Sequence, residues 1–296
     1  MTKAAHPILL AHGIARFDIV RAQIRKVWKV PVIAKGDKYH YFKGIRSLLR
    51  NHGFDAHHSH VAFAASVDDR ASELRAEVRR ILGKTGSDRI HIIAHSMGGL
   101  DARRMIVDCP EMAGAVASLS TIGTPHNGTS FADIGLAVGG DKLIDALSGV
   151  VSLEGYKDLT RDACAEFNQR AEAAEAANNV VYQTWSSVEP DENRVFMTLV
   201  VPWRIINREE GGNDGLVPES SQRWTSTLSS EDGIEKPVGQ HRFPFPADHW
   251  NQVGWWHVNR WSRSDGLMKL KSRIEEYESL VGEVYLDIAR SVAGIV

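Results

Sequence analysis

One serine, one aspartate and one histidine, far apart in the chain, have the side chains that nucleophilic acyl chemistry needs. Ser96 lies in IIAHSMGGLDARR, residues 92–104, where an apolar run gives way to an amphipathic one. A strand that enters a helix through so tight a turn strains the turn residue. It needs small residues two positions to either side. Ala94 and Gly98 occupy those positions. The turn would lift the hydroxyl clear of a sheet, at a helix N-terminus whose dipole favours developing negative charge. The plainer alternative is that Ser96 only caps the helix. The G-x-S-x-G-like pattern, with Ala94 at its first glycine, does not decide between them.

A serine nucleophile needs a base, and the base needs an orienting carboxylate. Asp214 sits in GGNDGLVP, residues 211–218, with Leu216 and Val217 as an apolar anchor behind it. Asn-Asp-Gly is also a common turn, and many such aspartates do nothing. Asp191 and Asp232 are rivals. The first precedes a strand expected at 195–201, and the second lies in a polar loop. Three histidines lie downstream: His241, His249 and His257. His249, in PADHWNQVGWW, follows a Pro-rich loop and precedes an apolar segment able to pin its backbone. His257 has helical spacing from Trp261 and could be a packed histidine. The oxyanion of an acyl-transfer intermediate needs two N–H donors. Met97, directly after the nucleophile, would supply one. Ile14, in the loop AHGIARF after the first strand, would supply the other, with Gly13 permitting the backbone angles.

The elements that must position these residues form a strand–helix alternation. Strands are expected at 8–12, 54–61, 89–94 and 115–121, and helices at 41–52, 68–82 and 98–107. Acids lead and bases close the 68–82 segment, as the helix dipole favours. Such alternation indicates an α/β fold, a mostly parallel sheet with helices on both faces. After Gly123 it lapses until about Asn193, far longer than a plain crossover needs. Apolar helical stretches at about 131–153 and 159–177 read as a lid or cap inserted at 123–193 in a single domain spanning 1–296. A last helix is expected at 273–292. Gly139, Gly140 and Gly149 are candidate hinges of the lid.

Composition narrows the function classes. The 296 residues are 43% hydrophobic, and 35 basic side chains meet 37 acidic ones. That balance gives no sign of a nucleic-acid partner. No apolar run reaches the length of a bilayer span, so a soluble protein is expected, with no transmembrane segment and most simply a monomer. MTKAAHPILLAHG has no signal-peptide core, so the cytoplasm is the default location. Cys109 and Cys164 are expected to be free thiols. His57, His58 and His60 have the wrong spacing for a metal site and read as partly exposed strand residues. RAQIRKVWK, residues 21–29, reads as a solvated helix face. The tryptophans at 250, 255, 256 and 261 read as packing under the histidine loop.

Taken in order, PILLAHGI, YFKGIRSLLRNHGF, IHIIAHSMGGLDAR, LSTIGTPHNGTSFAD, GGNDGLVP and DHWNQVG resemble the bacterial true lipases of the α/β-hydrolase fold. The likeness is to the Pseudomonas and Burkholderia type, with some to the staphylococcal and Geobacillus type. The resemblance implies triacylglycerol lipase activity on neutral lipid esters at a lipid–water interface. It implies Ser96 as nucleophile, Asp214 as acid, His249 as base, and Ile14 and Met97 as oxyanion donors. That family often holds calcium through an aspartate two residues after the histidine. Here that residue is Asn251, whose neutral amide can ligate calcium but adds no charge. No cofactor is expected to be required. Two alternatives remain: a carboxylesterase or thioesterase for smaller soluble esters, and a non-catalytic module of the same fold that binds lipid or protein.

Overall fold

The computed structural model describes residues 5–13, 37, 40–62, 65–137, 153–256 and 267–295. The chain builds β1 (Ile8–Ala11), β2 (Ala56–His58), β3 (Ile90–His95), β4 (Val116–Ile122), β5 (Val181–Ser186), β6 (Thr227–Ser229), β7 (Glu235–Pro237) and β8 (Gly239–Arg242). Six of them form one sheet in the order β2-β1-β3-β4-β5-β8, and every neighbouring pair is parallel. β6 and β7 form a separate antiparallel pair. All residues of β1, β3 and β4 are buried, as strands covered on both faces must be.

The helices are α1 (Ile45–Asn51), α2 (Val67–Thr85), α3 (Met97–Asp108), α4 (Pro110–Ala115), α5 (Ser130–Ala137), α6 (Leu153–Lys157), α7 (Arg161–Ala177), α8 (Val200–Glu209), α9 (Glu219–Gln222) and α10 (Leu267–Val292). Strand alternation divides the core between two faces. Ile8, Leu10 and Ile93 join a cluster with Leu49 of α1 and Val281, Tyr285 and Ile288 of α10. Leu9, Ala11, Ile92 and Ala94 join a second cluster with Leu74, Val78 and Ile81 of α2 and Met105 of α3. Local chemistry sets the helix ends. The Ser66 hydroxyl accepts the Asp69 N–H, Asp68 and Asp69 occupy the first turn of α2, and Gly86 closes it at φ 70, a conformation glycine adopts without a side-chain penalty.

Three expectations are corrected. Residues 195–201 are not a strand: Met197–Leu199 is a single 3-10 turn and α8 follows. VFMTLVV is β-branched and apolar, but Pro202 is tolerated in a first helical turn, and Pro202, Trp203 and Ile206 are the residues α8 buries. The next sheet strand is instead β5, so the excursion after β4 ends at residue 180 rather than 193. His57 and His58 are buried at 8% and 4% exposure, not partly exposed; His58 is covered by His40, stacked on it at 3.5 Å, with Asp37 and Phe42 beside it. The candidate hinges Gly139, Gly140 and Gly149, and all of the stretch between them, lie outside the described residues, as does 21–29. Both cysteines are free. No helix among the described residues is long and apolar enough to cross a membrane.

Candidate active site

Ser96 occupies the step from β3 to α3 at φ 58 and ψ −136. A non-glycine residue there carries strain of roughly 1–3 kcal/mol and persists only where its surroundings over-determine it. The surroundings do so. Ser96 N–H donates to the Ile122 carbonyl at 2.9 Å, and its own carbonyl accepts from Thr124 Oγ1 at 2.8 Å. The need for small neighbours is literal. A Cβ on Gly98 would lie 2.7 Å from the Ala11 oxygen and 2.8 Å from the His12 oxygen. α3 begins at Met97, so the Met97 N–H is one of the first-turn donors that have no partner within the helix. Gly13 faces the nucleophile directly: a Cβ there would meet Ser96 Cβ at 2.5 Å and Oγ at 3.0 Å. Ile14, the other expected oxyanion donor, lies outside the described residues.

Asp214 and His249 meet although 35 residues separate them. His249 Nδ1 donates to Asp214 Oδ2 at 2.8 Å, and the His249 N–H donates to the Asp214 carbonyl at 2.7 Å. Asp214 is fully buried. Its Oδ1 accepts the N–H groups of Leu216 at 2.9 Å and Val217 at 2.8 Å, so the apolar anchor behind it also fixes its rotamer. The His249 ring lies 4.4 Å from that of His95, the residue preceding the nucleophile. Among the described residues, hydrogen bonds reach His249 but do not continue to Ser96 Oγ. Catalytic contacts of this kind commonly tighten only around substrate. The rivals sit elsewhere. Asp191 caps the turn at Glu192–Arg194, Asp232 is exposed in the turn between β6 and β7, and His241 stacks on Trp185 from β8. His257 lies outside the described residues.

Several residues that sequence reasoning passed over support these. Gln252 Nε2 donates to Asp214 Oδ2 at 2.8 Å. Arg70 and Asp101 form a fully buried pair at 2.6 Å, and the same guanidinium donates to the His12 carbonyl at 2.7 Å. Arg70 therefore anchors the backbone just before Gly13. Burial pushes Asp101 up to about 6, against the pull of Arg70. Burial first, then Arg70, lowers His12 to about 3, so it is neutral. Asp248, beside the base, accepts N–H groups from Phe196 at 2.7 Å, Asn251 at 2.8 Å and Trp250 at 2.9 Å. Burial nevertheless pushes its carboxyl up to about 8. Asp101, Asp248 and Gln252 lie inside the motifs, which was the only signal they gave, and Arg70 lies in none of them.

Asn251 tests the calcium expectation. Its Oδ1 accepts the Asp248 N–H at 3.2 Å and its Nδ2 donates to the Trp255 carbonyl at 2.9 Å. Both amide atoms are used in closing the loop, and among the described residues no group of three or more His, Cys, Asp or Glu could hold a metal. Asn251 therefore turns no charged side-chain atom towards a calcium ion, and its amide is engaged within the loop. Beside Ser96 lies an apolar pocket of about 30 Å³, walled by Pro125, Phe131, Tyr156, Leu159 and Leu216 among others.

The profile of the alpha/beta hydrolase family matches residues 8–253. A triacylglycerol lipase of Pseudarthrobacter phenanthrenivorans is 33% identical over 131 residues, 43% of this chain and 35% of that protein. The chain therefore spans about a third of that relative's length. Triacylglycerol lipase 2 of Saccharomyces cerevisiae is 30% identical over 263 residues, covering 78% of this chain and 79% of that protein. The crystal structure of Staphylococcus hyicus lipase superposes with a TM-score of 0.58 at 20% identity, covering 95% of this chain and 97% of that one.

Proposed function

This chain belongs to the alpha/beta hydrolase family, and on that premise we propose that it is a serine carboxylester hydrolase acting on lipid esters, as a triacylglycerol lipase. What supports the reading is Ser96, strained at the β3–α3 elbow, together with a His249 that is hydrogen-bonded to Asp214 and packed 4.4 Å from the ring of His95, the residue before the serine. His249 Nε2 takes the Ser96 proton as Oγ attacks the ester carbonyl. Asp214, held on Nδ1, keeps the imidazole in the tautomer that leaves Nε2 free and offsets the charge that forms. The oxyanion rests on the N–H groups of Met97 and Ile14. Each such donor contributes about 10²–10³ in kcat. The alcohol leaves with the proton from His249. Water then attacks the acyl-enzyme with the same base, releasing the fatty acid and restoring Ser96 Oγ–H. No calcium enters this scheme.

The second reading is a carboxylesterase for short acyl chains. It is favoured by the small apolar pocket beside Ser96, about 30 Å³. One experiment tests both: hydrolysis of glycerol and p-nitrophenyl esters from short to long acyl chains, with fluorophosphonate labelling of the wild type and Ser96→Ala. Hydrolysis of long chains with labelling lost in Ser96→Ala supports the lipase. Activity confined to short chains favours the esterase. A wild type that takes no label refutes both and leaves a non-catalytic module.

A further inference from the structure

Gln252 is fully buried, and both ends of its amide are engaged. Its Nε2 donates to Asp214 Oδ2 at 2.8 Å and to Ser187 Oγ at 2.7 Å. An ionised carboxylate only accepts, so the nitrogen must be the end that faces Asp214. Its Oε1 lies 2.8 Å from His95 Nε2. An amide oxygen cannot donate, so His95 carries its proton on Nε2. Nδ1 is then bare and accepts the Tyr41 hydroxyl at 2.7 Å. Burial, then the neighbouring His249, pushes His95 well below its ordinary value, so it is neutral. The Tyr41 oxygen in turn takes a backbone hydrogen bond from Gly13, in the loop that faces Ser96.

The donors therefore all point one way: Gly13 to Tyr41, Tyr41 to His95, His95 to Gln252, Gln252 to Asp214. A chain of neutral groups ends on the one anion that orients the base. Each bond polarises the next in a dry interior, and no second charge is introduced beside Asp214. Resting on the assignment of Asp214 and His249 made above, we propose that Gln252 is a positioning residue of this site: its amide shares the charge of Asp214, fixes the carboxylate against His249, and ties the base through His95 and Tyr41 to the oxyanion loop at Gly13. The ionisable groups around His249 are Asp214 from its own turn, neutral His95 from β3, and Asp248, its neighbour in sequence.

The test is kcat and KM against pH on a soluble p-nitrophenyl ester for the wild type, Gln252→Met and Gln252→Glu. The active fraction of each is counted by fluorophosphonate labelling. Gln252→Met keeps the shape and removes the donor. Per active site, kcat should fall about 10- to 100-fold, the scale of a misplaced catalytic group, with KM within about twofold. The acid limb of kcat/KM should move to higher pH, because the charge of Asp214 then falls wholly on His249. The low-field proton resonance of His249 Nδ1–H should move with it. Gln252→Glu can donate to Asp214 only while protonated. Its activity relative to the wild type should fall as pH rises, which that of Gln252→Met should not. Tyr41→Phe cuts the chain farther away and should shift the acid limb the same way by less, which keeps the test open if Gln252→Met does not fold. A Gln252→Met protein with fewer active molecules but unchanged kcat, acid limb and resonance per active site would reduce Gln252 to packing and overturn the proposal. A wild type that fluorophosphonate does not label overturns the assignment of Ser96 as well.

Discussion

Gly13 offers a perturbation whose size can be worked from coordinates. In Gly13→Ala the new methyl would lie 2.5 Å from Ser96 Cβ and 3.0 Å from both Ser96 Oγ and the Tyr41 hydroxyl. Carbon–carbon contacts settle at about 3.5–4.0 Å, so one side must retreat by about 1 Å. The elbow cannot yield, because the Ile122 and Thr124 bonds hold Ser96 on both sides of its peptide unit. The loop carrying Gly13 must therefore move, pulling against the Arg70 bond to the His12 carbonyl. A misplacement of about 1 Å costs about 10²-fold in rate, and losing an oxyanion donor costs about 10²–10³-fold. kcat/KM should fall by about 100- to 1000-fold, mostly in kcat, while overpacking costs stability about 1–3 kcal/mol. The assay is p-nitrophenyl ester hydrolysis per folded molecule, with folding checked by circular dichroism and Tm. A folded Gly13→Ala protein with kcat/KM within about threefold of wild type would refute this account of the loop.

Asp214→Asn should lower kcat by about 10⁴-fold, the scale set by the wrong imidazole tautomer, with little change in KM; steady-state kinetics showing less than a tenfold loss would contradict the role of Asp214. EDTA should leave activity unchanged and Tm within a few degrees, since the Asn251 amide closes the histidine loop itself. A large fall in Tm reversed by added calcium would show a site that binds the folded state. Asp248 titrates at about 8 when folded against an ordinary 3.8, so the folded state holds the extra proton between those values. Its contribution to stability is therefore present at low pH and lost as pH rises through that window, at up to about 1.4 kcal/mol per pH unit. Asp248→Asn should flatten that slope in urea denaturation across the window, and parallel wild-type and variant curves would count against it.

What the sequence alone determined is local. The elbow was legible because a strained serine between a strand and a helix needs small residues at 94 and 98, and no distant contact can waive that steric demand. α2 was legible because caps, charge order and apolar period all agree over one continuous segment. The Asp214 turn and the His249 loop were picked out by turn chemistry and by resemblance. Their 2.8 Å meeting belongs to the fold. The strand at 181–186 was not legible. VYQTWS reads less like a strand than VFMTLVV at 195–201, and it became one because β4 and β8 supply its hydrogen-bond partners on either side. The supports of the site were hidden for the same reason. A glutamine, a histidine or an Arg–Asp pair looks like surface polarity in a string of letters. Only when sheet and helices close over Gln252, His95, Arg70 and Asp101 does water leave, and each polar atom must then find its partner inside the protein.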